Sequence, residues 1–124
     1  MTDKILIADD EPNILLSLDY LMRREGFEVL LARDGDEALA LLQRERPRLV
    51  LLDVMMPGKS GHEVLAALRA DDALKHILVL MLSAKGRDTD VAKGLGLGAD
   101  AYVTKPFSTQ ALVAQVRTML AGAP

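Results

Sequence analysis

Residues 49–61 read LVLLDVMMPGKSG, and the opening five decide the fold. Four aliphatics without a polar break cannot form a strand with one wet face, and the run is too short for a helix. It reads as a strand buried on both sides, which is the pattern of a parallel sheet covered by helices. Working outward, Ile5 to Ala8 and Ile77 to Leu82 are equally unbroken, whereas Glu28 and Thr104 interrupt the runs at Val29 to Ala32 and Ala101 to Val103. Segments of helical spacing lie between them: Ile14, Leu15, Leu18, Leu21 and Met22; Ala38, Leu41 and Leu42; Val64, Leu65 and Leu68; and finally Leu112, Val113, Val116, Met119 and Leu120. Pro12 suits a first helical turn, Gly26 a helix end, Asp34 with Glu37 a capping box, and Ser108 the cap of the last helix.

Strand and helix therefore alternate five times, which requires crossover connections and predicts an α/β fold with helices on both faces of a parallel sheet. The two interrupted runs belong at the edges, so the expected strand order is 2-1-3-4-5, one of the two common doubly wound arrangements. A chain of 124 residues, half of them apolar, closes one core, and residues 1–124 are read as a single domain. There is no cysteine, no leader-like segment and no apolar run long enough to span a bilayer, so a cytoplasmic protein is expected. The net charge of −3 comes without a basic stripe, which argues against direct nucleic-acid binding.

In doubly wound sheets the working crevice lies beyond the carboxyl ends of the strands. There the first strand runs into Asp9, Asp10 and Glu11, the third into Asp53, the fourth into Ser83, and the fifth into Thr104, Lys105 and Pro106. Strands one and three are expected neighbours, which brings three carboxylates together. Such a cluster needs compensation, and a hard divalent cation that keeps positions for phosphate oxygens, Mg²⁺ with Mn²⁺ as the alternative, is the natural one. The glycines at 94, 96 and 98 match no phosphate-binding loop. They imply instead a fourth helix with a weak C-terminal half.

ILIADDEP at the first strand, LVLLDVMMPGKSG at the third, VLMLSAK at the fourth and GADAYVTKPF at the fifth, in that order, resemble the receiver domains of bacterial response regulators over essentially the whole chain. The resemblance implies the flavodoxin-like fold and a phosphoacceptor switch, not an enzyme acting on an outside substrate. It implies Asp53 as the phosphorylated residue and Asp9, Asp10, Asp53 and the backbone carbonyl of Met55 as metal ligands. Ser83 becomes the hydroxyl that tracks the phosphoryl group, Lys105 the cation that neutralises it, Tyr102 the ring that changes rotamer, and Lys105-Pro106 a cis peptide. The implied partners are a sensor histidine kinase or histidine phosphotransfer protein upstream and an effector downstream.

His62 and His76 both read as surface residues away from the crevice, so the donor histidine must belong to a partner. Met55 and Lys85 occupy the positions where side chains control water access to an acyl phosphate; apolar Met55 is expected to shield it. Family dimers that pair through the fourth helix, fifth strand and fifth helix carry acids at the positions of Ala101 and Ala111 and an Arg at Gln115. These are neutral here, which points to a monomer or a weak phosphorylation-dependent dimer. Two rival readings are a pseudo-receiver that signals by contact alone and an Asp-nucleophile phosphohydrolase. The first has normally lost a site residue, and none is lost here; the second needs a D-x-D motif after the first strand, where Asp9 and Asp10 are instead adjacent, and a large cap segment, which is missing.

Overall fold

The computed structural model describes residues 2–84 and 88–122. Five strands, β1 (Lys4–Ala8), β2 (Glu28–Ala32), β3 (Leu49–Asp53), β4 (Leu78–Ala84) and β5 (Ala101–Lys105), alternate with five helices, α1 (Pro12–Arg24), α2 (Gly35–Glu45), α3 (Gly61–Ala70), α4 (Asp88–Gly96) and α5 (Thr109–Gly122). All pairings are parallel and the order is β2-β1-β3-β4-β5, so the runs broken by Glu28 and Thr104 are indeed the edges.

The sheet separates two apolar layers. On one face Leu6, Ala8, Val50, Leu52, Val79 and Met81 pack with Ala38 and Leu42 of α2 and Val64, Leu65 and Leu68 of α3. On the other, Ile5, Ile7, Leu49, Leu51, Leu80 and Leu82 pack with Leu15, Leu18 and Met22 of α1 and Leu112, Val116 and Leu120 of α5. Alternate residues of one unbroken run thus serve opposite layers, which is why the polar residues of β1, β3 and β4, namely Lys4, Asp53 and Ser83, stand only at or next to strand ends.

Pro12 opens α1, and Gly26, at φ 92°, turns the chain out of it. Asp34 caps α2 by accepting from the Glu37 N–H at 2.7 Å, but Glu37 reaches back to the Arg33 N–H at 2.8 Å, so the expected box closes one residue early. The complete capping box is at Ser60 and Glu63 on α3. It anchors the loop that follows Asp53. Ser108 caps α5 through the Ala111 N–H at 3.3 Å. At the opposite end of α3, the Arg69 guanidinium donates to the carbonyls of Lys75, Ile77 and Gly98 and to Asp100, tying the start of β4 to the turn that leads into β5. Among the described residues no helix is long and apolar enough to cross a membrane.

Candidate functional site

Register builds the site. Ala8 pairs with Leu52, so Asp9 and Asp53 follow as next neighbours at one sheet edge. Asp53 pairs with Leu82, and Lys105, which pairs with Ala84, lies two residues past that row on the same side of the sheet. Its long side chain folds back over the strand ends. The Nζ sits 2.9 Å from Asp9 Oδ2, 3.3 Å from Asp53 Oδ1 and 3.4 Å from Glu11 Oε1. Asp9, Asp10 and Asp53 each present a carboxylate oxygen within 4.8 Å of the others; Asp9 and Asp53 are buried and Asp10 is exposed. The other oxygen of Asp9, Oδ1, accepts the Glu11 N–H at 2.9 Å, which fixes that carboxylate just ahead of α1.

The electrostatics follow from burial. Asp53 is pushed up to about 7, first by desolvation and then by the carboxylate of Asp9, against the opposing pull of Lys105 and a backbone hydrogen bond from Met55. Burial acts to lower Lys105, yet its bond to Asp9 and the charges of Asp53, Asp9 and Glu11 outweigh that and leave it raised. One ammonium is serving three carboxylates. The donor set is all oxygen, crowded and short of positive charge, which suits a hard divalent cation better than a soft or nitrogen-seeking one.

The remaining candidates divide between the two sheet faces. Ser83 is buried at the end of β4, but its hydroxyl donates to its neighbour Ala84 at 3.4 Å and is not bonded to the acids. Tyr102 packs on the opposite apolar layer from Lys105. The Lys105–Pro106 bond is cis. Met55 has a side chain that is 56 % exposed, so any cover it gives the site is partial; Lys85 lies outside the described residues.

One expectation is overturned. His62 is not a surface residue: it is 5 % exposed, and its Nε2 shares a 2.9 Å hydrogen bond with the Tyr102 hydroxyl. His62 belongs to the inward stripe of α3 three residues before Leu65, and that spacing was the available signal. His76 is exposed. Gly61 matters for a steric reason. A Cβ there would overlap the backbone carbonyl of Asp53, so no side chain can yield and the loop itself must move. Gly61→Ala is expected to lower stability by about 1–3 kcal/mol, read from the urea midpoint.

A family model described as the response regulator receiver domain matches residues 5–117. Among solved structures, a protein described as a response regulator from Chloroflexus aurantiacus is 33 % identical, with a TM-score of 0.93 over 98 % of this chain and 99 % of that one. The signal receiver domain of a signal transduction histidine kinase from Syntrophus aciditrophicus is 31 % identical, with a TM-score of 0.91 over 98 % of this chain and 92 % of that one. The chemotaxis response regulator CheY4 of Vibrio cholerae is 30 % identical, with a TM-score of 0.89 over 95 % of this chain and 98 % of that one.

Proposed function

The chain belongs to the family of response regulator receiver domains, phosphoacceptor signalling domains of two-component systems, and on that premise we propose that it takes a phosphoryl group on Asp53 from a phosphohistidine in a Mg²⁺-dependent reaction. The whole chain, residues 1–124, is read as one such unit. The observation that carries the reading is the juxtaposition of Asp9, Asp10 and Asp53 with Lys105 at one edge of the sheet.

Asp53 supplies the nucleophilic oxygen. Its new bond to phosphorus forms as the bond to the donor imidazole breaks, and the imidazole leaves carrying the electron pair. Transfer of this kind asks the protein for in-line positioning and for positive charge near the equatorial oxygens. Lys105 is already held 3.3 Å from Asp53 and gives that charge. Asp9, Asp10, Asp53 and the carbonyl of Met55 would hold Mg²⁺, or Mn²⁺ in its place, which when bound offsets the acids and the charge of the phosphoryl group. Ser83, at the end of the adjoining strand, turns its hydroxyl toward the added oxygens, and Tyr102 answers on the surface of α4, β5 and α5 that an effector reads.

Neither histidine of this chain is placed to be the donor: His62 is engaged with Tyr102, and His76 follows α3 at the far end of the sheet. A sensor kinase or phosphotransfer protein would bring it. An apolar groove of about 320 Å³, lined in part by Ile14, Pro106 and Phe107, adjoins Lys105 and offers such a partner a grip beside the acids.

Incubation with Mg²⁺ and acetyl phosphate, followed by intact-mass measurement, is expected to show one labile phosphoryl group that is absent without the metal and abolished by Asp53→Asn. A protein that gains no mass would instead signal by contact alone.

A further inference from the structure

We propose that His62 is a positioning residue for the switch ring: it holds Tyr102 beneath α4, in a slot that exists because residue 94 has no Cβ. The inference rests on the phosphoacceptor reading only where it touches signalling; the lock itself stands on geometry.

Two independent features converge on the Tyr102 hydroxyl. The first is polar. His62 is 5 % exposed and its Nε2 lies 2.9 Å from that oxygen, so the hydroxyl of the half-buried ring keeps a hydrogen-bond partner on the inner side. The second is steric. Gly94 is buried within α4, and a Cβ built on it would overlap the Tyr102 hydroxyl and crowd the ring. With a side chain at this place either the ring or helix α4 would have to shift. Sequence logic alone counts Gly94 as a helix weakness; the packing shows what it makes room for.

Tyr102 pairs with Met81 on β4, and Ser83 lies two residues further along that strand, so the side chains of Tyr102 and Ser83 rise from the same face of the sheet. The ring and the hydroxyl that responds to phosphorylation are thus neighbours in one layer. If phosphorylation favours the ring-in arrangement, linkage requires that whatever favours ring-in also favours phosphorylation, by the same factor. His62 pre-sets the α4 and β5 surface before any phosphoryl group arrives.

The chain has two tyrosines, and Tyr20 is 68 % exposed, so ring-labelled tyrosine NMR carries its own solvent reference. In the unphosphorylated full chain, Tyr102 is expected to show dispersed ring shifts and cross-peaks to the His62 imidazole. His62→Phe and Gly94→Ala should both move it toward the Tyr20 positions, while His62→Gln, which keeps a polar group within reach of the hydroxyl, should restore most of the native signal. Gly94→Ala gains helix propensity while crowding the ring, so its urea midpoint, measured alongside the shifts, separates displacement of the ring from failure to fold. Phosphoryl uptake at a fixed acetyl phosphate concentration should fall about five-fold in His62→Phe, the factor set by one ordinary hydrogen bond, and recover in His62→Gln. Tyr102 shifts unchanged by His62→Phe, or already like those of Tyr20 in the native chain, would overturn the proposal. Native shifts lost in His62→Phe and Gly94→Ala, in a chain that takes no phosphoryl group, would uphold the lock and remove the phosphoacceptor reading alone.

Discussion

Asp53→Asn is expected to stabilise the metal-free protein above pH 7, by up to about 4 kcal/mol, and to make no difference below pH 4. The cause is the position of Asp53, whose carboxyl climbs from 3.8 in the unfolded chain to about 7 in the fold because burial and Asp9 both oppose its charge. A climb of that size corresponds to roughly 4 kcal/mol. The sign follows from proton counting. Between the two values the folded protein binds a proton that the unfolded chain has released, so unfolding becomes easier as pH rises through the window. The stability of the native chain should therefore decline from about pH 4 to pH 7 and then level, with the Asn variant flatter over the same range. Lys105 limits the gain, because the variant also loses its attraction for a charged Asp53. Urea midpoints measured in a chelator at several pH values read the effect directly. A native chain whose stability is flat across this window, or an Asn variant weaker than it at pH 8, would contradict the assignment of the strained charge to Asp53. The same strain rationalises the proposed function: a carboxylate poorly tolerated alone is one that a bound cation can relieve, and positive charge at this edge is also what an incoming phosphoryl group needs.

How much of this was readable beforehand depends on whether a feature is periodic. The sheet order followed from where polar residues interrupt apolar runs, since only an edge strand can accept Glu28 or Thr104. The acid cluster followed from strand adjacency, because register carries Asp9 and Asp53 to the same edge once β1 and β3 pair. Features that depend on the reach of one side chain were not visible. Lys105 was expected at the crevice, but nothing in its spacing says that it would touch Asp9, Asp53 and Glu11 together. His62 was misread because a single polar residue flanked by Gly61 and Glu63 resembles a solvated helix start, although its three-residue offset from Leu65 put it on the buried stripe. The capping box was sought at Asp34 and closed at Ser60, since both pairs have the right offset and only the loop geometry chooses between them. Gly94 was the least legible of all: its reason lies in a ring contributed by a different element.

The test with the largest structural penalty concerns Lys105. Its side chain is 14 % exposed and lies between two carboxylates with exposures of 0 % and 6 %, Asp9 and Asp53. Lys105→Met keeps the length of the chain but removes the only ammonium bonded to these groups among the described residues, leaving like charges together in a dry edge of the sheet. Breaking a buried pair from one side costs about 3–5 kcal/mol, far more than the pair contributes relative to apolar residues of equal size. The loss should be greatest at neutral and higher pH, where Asp53 would otherwise be charged, and smaller near pH 4, where a proton can substitute for the missing cation. In the native chain Lys105 holds its proton more tightly than it does when unfolded, so its contribution is complete below 10.5 and is lost only as pH rises beyond that value. The double variant Lys105→Met/Asp53→Asn provides the internal check. With one carboxylate removed, much of the penalty disappears, and the two substitutions should be non-additive by about 1–3 kcal/mol because the residues touch. Phosphoryl uptake separates this structural role from the chemical one. Lys105→Met protein held folded by low temperature should still take up the phosphoryl group far more slowly, since among the described residues no other ammonium is paired with Asp53 to meet the incoming charge. A Lys105→Met chain as stable as the native one at pH 8 in chelator would mean that the acids are relieved by something other than this lysine, and the electrostatic account of the site would have to be rebuilt around that group.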